Sequence, residues 1–264
     1  MLPRQLSVGH LVQTLYRQGG LFDRRILPLT PLEGLRAQQR YQASKGADYE
    51  REVRLAGTFP QGALELRLGG RADGVARSAD GWIVEEIKSY GGTLGEAQED
   101  LELHRAQLRC YGALLARQAS ECPETLALCL TYVQARSGAA TAVRWEEPTA
   151  ALDAFLQQSL KAYGAALAGE GARLRARNGA LSALAFPLPV PRAGQLALAR
   201  AAFRACQRGE GLLAEAPTGL GKTLGVLFGA LKALPEARQE RLWIMTPRRT
   251  QRGAFLRALK QTLP

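Results

Sequence analysis

GRADGVARSADGWIVEEIKSY runs from Gly70 to Tyr90 and reads as two short strands around a turn. The second strand carries Glu85, Glu86 and Lys88, although a strand entering a sheet should be largely apolar. Side chains alternate across a strand. Glu86 and Lys88 therefore share a face with Val84, while Ile83, Glu85 and Ile87 point the other way. A carboxylate and an ammonium two positions apart are costly to bury without a partner. Two readings stand on this stretch alone: an edge strand with a surface ion pair, or a site.

Outward from the hairpin, Ser7 is placed to cap a first helix over Val8–Arg17, and a second helix follows over Pro31–Ala43. Strands are expected at Glu50–Ala56, Ala63–Leu68, Ala72–Arg77 and Trp82–Ser89. Leu64, Leu66 and Leu68 alternate with Glu65 and Arg67, as in a half-exposed strand. A long helix is expected over Leu94–Gln118, then the strands TLALCLTYVQ and TAVRWEE, then a helix over Thr149–Arg175. ARNGALSALAFPLPVPRAGQ breaks the pattern with its prolines and reads as a linker. Beyond Gln195 the order is helix, strand GLLAEA, loop PTGLGKT, helix, strand RLWIMT, helix, the start of a doubly wound α/β domain. Two parallel strands do not complete such a sheet, so this second domain is expected to be truncated. The expected division is residues 1–178, a linker at 179–194, and an incomplete domain at 195–264.

The chain has 264 residues, a formal charge of +11 and 35 Lys and Arg against 24 Asp and Glu. That balance favours an acidic partner, with nucleic acid before membrane surface. No apolar run is long enough to span a bilayer, and the first residues lack a secretory signal pattern, so a cytoplasmic protein is expected. Cys110, Cys122, Cys129 and Cys206 show no CxxC pairing and read as scattered thiols rather than a zinc or iron–sulfur site.

APTGLGKT, Ala216–Thr223, has the chemistry of a phosphate-binding loop. Gly219 and Gly221 permit close backbone approach to an anion, and the following helix offers its N-terminus to the same charge. Lys222 can reach β- and γ-phosphates, and the Thr223 hydroxyl can ligate Mg²⁺. EAPTGLGKT resembles the first ATPase motif of superfamily 2 DNA helicases of the XPD/DinG type, with Thr218 before the first glycine. Upstream, FPLPVPRAGQ resembles that family's adenine-contacting element, through Arg192 and Gln195. Downstream, IMTPRRTQ is loosely similar to a strand-end motif that touches single-stranded DNA, through Thr246, Arg248 and Thr250. The resemblance implies ATP and Mg²⁺ as ligands and DNA as partner. The family's acidic Mg²⁺-binding box, arginine finger and second motor lobe have no counterpart in this sequence, and no iron–sulfur ligand is identified.

With a motor-like segment behind it, the hairpin reads as a site. Asp73 lies beside the turn, and a hairpin can bring Asp73, Glu86 and Lys88 to one sheet edge. Two carboxylates can hold a divalent metal, Mg²⁺ or Mn²⁺, which would activate water and polarise a phosphodiester while Lys88 steadies developing charge. The arrangement resembles the RecB-like branch of the PD-(D/E)xK nucleases, with GRADG supplying Asp73 and EEIK supplying Glu86 and Lys88. That branch's QxxxY helix motif is matched by Gln107 and Tyr111, which share a helical face with His104. YEREVRLAG resembles the first strand of the nuclease-like module found ahead of some bacterial DinG-type helicases, with Glu52 as a match to its acid. SVGHLVQTLYRQGGLFDRR resembles the first helices of the nuclease-like module fused ahead of some bacterial DinG-type helicases.

In EGLRAQQRYQ, Gln38 stands where the related pattern often has a metal-binding histidine, and His10 belongs to the first helix. The expected fold is thus a PD-(D/E)xK nuclease-like α/β domain followed by the start of a P-loop, RecA-like helicase domain. The five motif residues favour a DNA-cleaving enzyme joined to an ATP-driven motor. Gln38 and the presence of only two histidines favour a nuclease fold that holds DNA without cutting it, and a third reading has the front domain only positioning the motor.

Overall fold

The computed structural model describes residues 4–17, 29–62, 64–78, 81–237, 239–246 and 249–263. They fall into two compact units, Met1–Leu167 and Ala168–Pro264. The first contains β1 (Arg4–Ser7), α1 (Val8–Tyr16), α2 (Pro31–Ala43), β2 (Tyr49–Gln61), β3 (Leu64–Ser78), β4 (Gly81–Tyr90), α3 (Leu94–Ala97), α4 (Leu101–Gln118), β5 (Thr125–Gln134), β6 (Ala140–Pro148) and the start of α5 (Thr149–Ala183). Local chemistry sets several of these limits. Ser7 Oγ accepts from the His10 amide at the start of α1. Thr30 and Glu33 form a reciprocal capping box, with Pro31 opening α2.

The strand order is β1-β3-β4-β5-β6, and β2 also pairs with β3. β2 runs antiparallel along nearly all of β3, from Tyr49↔Ala76 to Gln61↔Leu64. The other edge of β3 is therefore divided. β1 lies parallel to Leu66–Gly69, and β4 lies antiparallel to Gly74–Ser78. Gly70 to Asp73 has no ladder partner on that edge among the described residues. β5 continues the sheet parallel to β4, and β6 closes it antiparallel to β5. The main core packs Leu66, Leu68, Leu126, Leu128 and Leu130 against Leu11 of α1, Leu108 and Leu114 of α4, and Leu152 and Leu156 of α5. On the opposite face, Ala37 of α2 meets Ile87 and Val133.

Several expectations are corrected. The two strands at Ala63–Leu68 and Ala72–Arg77 are one strand, β3, because pairing with β2 keeps Gly69 and Gly70 extended; Ala63 lies outside the described residues. β1 was not expected. The helix over Leu94–Gln118 is broken at a turn over 98–100, where Asp100 starts α4 afresh. The helix starting at Thr149 continues to Ala183, so 176–183 of the linker stretch is helical.

The second unit holds the end of α5, α6 (Gln195–Arg208), α7 (Lys222–Glu236) and α8 (Arg249–Thr262). Its core gathers Leu181, Leu224, Leu227, Leu231, Leu234 and Ala258. Gly229 lets α7 approach α6, since a Cβ there would lie 2.2 Å from the Ala199 carbonyl oxygen. GLLAEA and RLWIMT are not strands, and the doubly wound frame is absent among the described residues. With no neighbouring strand to pair with, most of their apolar side chains stay in water: Leu213 is 102% exposed, Met245 94% and Trp243 80%, while Leu242 packs against the core of this unit. Arg248 lies outside the described residues, and so does the side chain of Thr250. Among the described residues no helix is long and apolar enough to cross a membrane.

Candidate active site

The unpaired stretch of the β3 edge, Gly70 to Asp73, is where the chemistry collects. The β3–β4 ladder ends at Gly74↔Glu85. One residue further, the Asp73 side chain replaces the missing backbone acceptor: its Oδ2 takes the Ile87 amide at 2.6 Å. Its Oδ1 accepts from Gln38 Nε2 of α2 at 2.8 Å. Two glycines make room around it. A Cβ on Gly70 would lie 2.6 Å from the Tyr111 ring, and one on Gly74 would lie 1.7 Å from the Tyr49 hydroxyl. The spacing in GRADG thus lets one tyrosine cross the strand on each side of Asp73.

Glu86 is buried at 4% exposure. Its Oε1 accepts from Lys88 Nζ at 2.7 Å and from Gln107 Nε2 at 2.6 Å. Its Oε2 is buried and has no hydrogen-bond partner. Lys88 also donates to Gln107 Oε1 at 3.1 Å, and Gln107 Nε2 reaches the Tyr111 hydroxyl at 3.3 Å. That hydroxyl accepts from the Arg71 backbone, answering an amide in the gap of the sheet. Glu86, Lys88, Gln107 and Tyr111 are therefore linked by hydrogen bonds, and Asp73 joins them through the Ile87 amide and the field of Glu86. His104 turns to Tyr132 instead, with Nδ1 3.0 Å from its hydroxyl, and burial followed by the Lys88 charge lowers its pKa to about 4. His10 lies on α1 against Tyr163.

Burial is the first cause raising Asp73 to about 7, and the Glu86 charge is the second; the Ile87 amide and Lys88 oppose them. Burial also raises Glu86, against the lowering effect of Lys88 and Gln107. Both carboxyls are thus short of positive charge.

Glu52 joins them from β2. It has φ 57, the one non-glycine residue with positive φ among the described residues. The β2–β3 register passes from Arg51↔Gly74 to Val53↔Ala72, leaving Glu52 and Asp73 out of the ladder. Glu52 accepts from Gln38 and Gln42, each at 3.2 Å, and pairs with Arg71 at 2.6 Å. Its charge helps raise both Asp73 and Glu86.

Glu85, on the opposite face of β4, was not expected to have a defined role. It is 2% exposed and accepts from Tyr41 at 2.7 Å, Tyr49 at 2.6 Å and Thr131 at 2.6 Å, with Lys45 at 3.4 Å. It ties α2, β2 and β5 together behind the site.

Among the described residues no group of three or more His, Cys, Asp or Glu side chains is placed to hold a metal ion. The pair that is present still fits a hard divalent cation. Asp73 and Glu86 offer oxygen donors, and the orphaned Oε2 of Glu86 is an acceptor with nothing to accept.

In the second unit Gly219 and Gly221 take left-handed φ values of 84° and 83°, and Lys222 opens α7. Lys222 Nζ donates to the Ala216 and Pro217 carbonyls at 2.7 and 3.0 Å. Gln195 Oε1 accepts from the Arg192 amide, its Nε2 donates to the Gly221 carbonyl, and the Arg192 side chain donates to the Gly219 carbonyl. Thr218 is exposed and Thr223 half-buried at the same turn. These residues meet, but without the strand that a strand–loop–helix phosphate site requires.

Residues 7–186 match the PD-(D/E)XK nuclease superfamily. The crystal structure of SSO0001 is similar over 61% of this chain and 77% of that one, at 20% identity and a TM-score of 0.40, too distant to carry an argument. No curated protein matches.

Proposed function

Because the chain belongs to the PD-(D/E)XK nuclease superfamily, we propose that its first unit is a divalent-metal-dependent deoxyribonuclease. The observation that carries this reading is Glu86: a buried carboxylate with one oxygen unanswered, beside an Asp73 that shares its deficit of positive charge. Asp73 and Glu86 would hold the ion. Bound there, a divalent cation supplies Lewis acidity for phosphodiester hydrolysis. Lys88 keeps a positive charge beside Glu86, where phosphoryl oxygens gain charge in the transition state. Gln107 fixes the Glu86 and Lys88 head groups, and Tyr111 anchors Gln107 to the strand. The test is nicking of single-stranded DNA with Mg²⁺ or Mn²⁺. Glu86→Ala abolishes it; an unchanged rate rejects the assignment.

A second reading is favoured by Gln38, which presents Nε2 to Asp73 and Glu52 where an imidazole would offer a lone pair. It is a cytoplasmic DNA-binding module that does not cut, and DNA binding without cation-dependent nicking would select it.

The finer proposal places this module ahead of a DinG-type helicase motor, with residues 1–178 as nuclease domain, 179–194 as linker and 195–264 as the start of the ATP-binding domain. The meeting of Arg192, Gln195, Gly219, Gly221 and Lys222 supports an ATP site that Thr218 and Thr223 complete, Thr223 through Mg²⁺. Titration with a fluorescent ATP analogue should show weak binding that Lys222→Ala removes. Binding unaltered by that substitution rejects the nucleotide site.

A further inference from the structure

α4 has two working sides. Arg105 and Gln107 are two residues apart, so their side chains leave the helix in nearly opposite directions. Away from Gln107 lies a hollow of about 420 Å³ bounded by α1, α4, β6 and α5. That volume falls within the roughly 300–1,000 Å³ of small-molecule sites. Its aromatic walls differ in how far they are committed. Phe155 is engaged: Arg109 lies 4.1 Å from its centroid, and Tyr16 stacks on it at 5.5 Å and 25°. Trp145 packs partly against the core and is tied at its edge through Nε1 donating to Glu147 at 2.8 Å. Glu147 also fixes Arg109 at 2.9 Å. Over the Trp145 ring stands Arg105, loosely, at 5.6 Å. Among the described residues its ion-pair contact is the exposed Glu102 at 3.4 Å, and its Nε is buried without a partner. Arg105 therefore has little to lose by moving, and its movement uncovers an indole face.

The ligand chemistry follows from this inventory. Two arginines are balanced by Glu102 and Glu147, so the hollow carries no net charge to favour a bare phosphate. It does offer a planar apolar face, a guanidinium able to stack from above, and both donors and acceptors at the rim. An unpaired base satisfies all three, because its π-face stacks and its edge both donates and accepts. We infer that this hollow is a stacking pocket for one base of single-stranded DNA, with Trp145 as floor and Arg105 as lid. The inference rests on the proposed DNA-binding role of the chain. It adds a contact point on the side of α4 remote from Asp73 and Glu86, so the strand is gripped at two places.

The test uses the full 264-residue chain with Trp82→Phe and Trp243→Phe, which leaves Trp145 as its one indole. An oligothymidylate and an abasic oligonucleotide of equal length are titrated in EDTA. Thymidylate should quench Trp145 and the abasic strand should not. In the otherwise natural chain, Trp145→Ala should weaken thymidylate binding at least about five-fold, the loss of one stacked base, and leave abasic binding unchanged. Trp145→Leu keeps apolar bulk in β6 and should give the same loss if stacking is the cause. Binding with unaltered Trp145 fluorescence, or equal affinity for both strands, overturns the pocket. Cation-dependent nicking is scored separately: DNA cut without Trp145 quenching removes the pocket and leaves the nuclease reading. Quenching without cutting removes the nuclease reading and leaves the pocket.

Discussion

Asp73 and Glu86 are carboxyls held out of water with only part of their charge answered, and pH should expose that. Asp73 is raised from 3.8 to about 7 in the fold. Between those values the native state keeps a proton that the unfolded chain has lost, so stability falls as pH rises through the window. Without metal, Tm should drop by about 5 °C or more from pH 5 to 8, with a flatter slope in Asp73→Asn. Excess Mg²⁺ or Mn²⁺ should recover Tm at pH 8 in the natural chain and much less in the variant, as scanning calorimetry can read. Glu52 poses the opposite trade. Its left-handed backbone costs about 1 kcal/mol or more, and its charge strains its neighbours. Glu52→Gly should therefore leave Tm unchanged or higher while weakening divalent-cation affinity several-fold by calorimetric titration. Strand alternation put Glu86 and Lys88 on one face, helical spacing put Gln107 near Tyr111, and a family resemblance joined Asp73 to them. Glu85 was not legible in advance, because its donors Tyr41, Tyr49 and Thr131 come from three different elements and no local pattern announces them.

Among the elements, β2 and β3 depend on a single missing side chain. Tyr49 leans over Gly74 to reach Glu85, so Gly74→Ala must push the ring aside and break that hydrogen bond. The expected loss is about 2–3 kcal/mol in urea unfolding, with Tyr49→Phe recovering little because Glu85 then lacks the same donor. α2 was readable to its ends because Thr30, Pro31 and Glu33 write its start locally. β1 was not: RQLS is too short to show a period, and its partner Leu66 lies far along the chain. β3 was read as two strands because paired glycines usually interrupt, a tendency that continuous pairing with β2 overrides. GLLAEA and RLWIMT have the apolar look of buried strands, yet a strand exists only when another strand is beside it.

For the whole molecule, the charge of +11 predicts binding through phosphates. Affinity for single-stranded DNA should fall about ten-fold or more between roughly 50 and 200 mM salt, measured by anisotropy, because each neutralised phosphate releases counterions. A flat response would remove the basic surface from the account. The divided edge of β3 also bears on the order in which the chain assembles. β2, β3 and β4 are neighbours in sequence and can zip as a meander early. β1 is made before β3 yet has nowhere to dock until β3 follows, so the first synthesised of these strands is among the last to settle. Tyr111 closes the same edge from a helix made later still. Those Leu66–Gly69 amides that face β1, and the Arg71 amide, should then gain protection after the Gly74–Ser78 amides that face β4 in pulse-labelled hydrogen exchange during refolding. A nascent chain would have Asp73 and Glu86 fully framed only once β1 had been folded back beside β3.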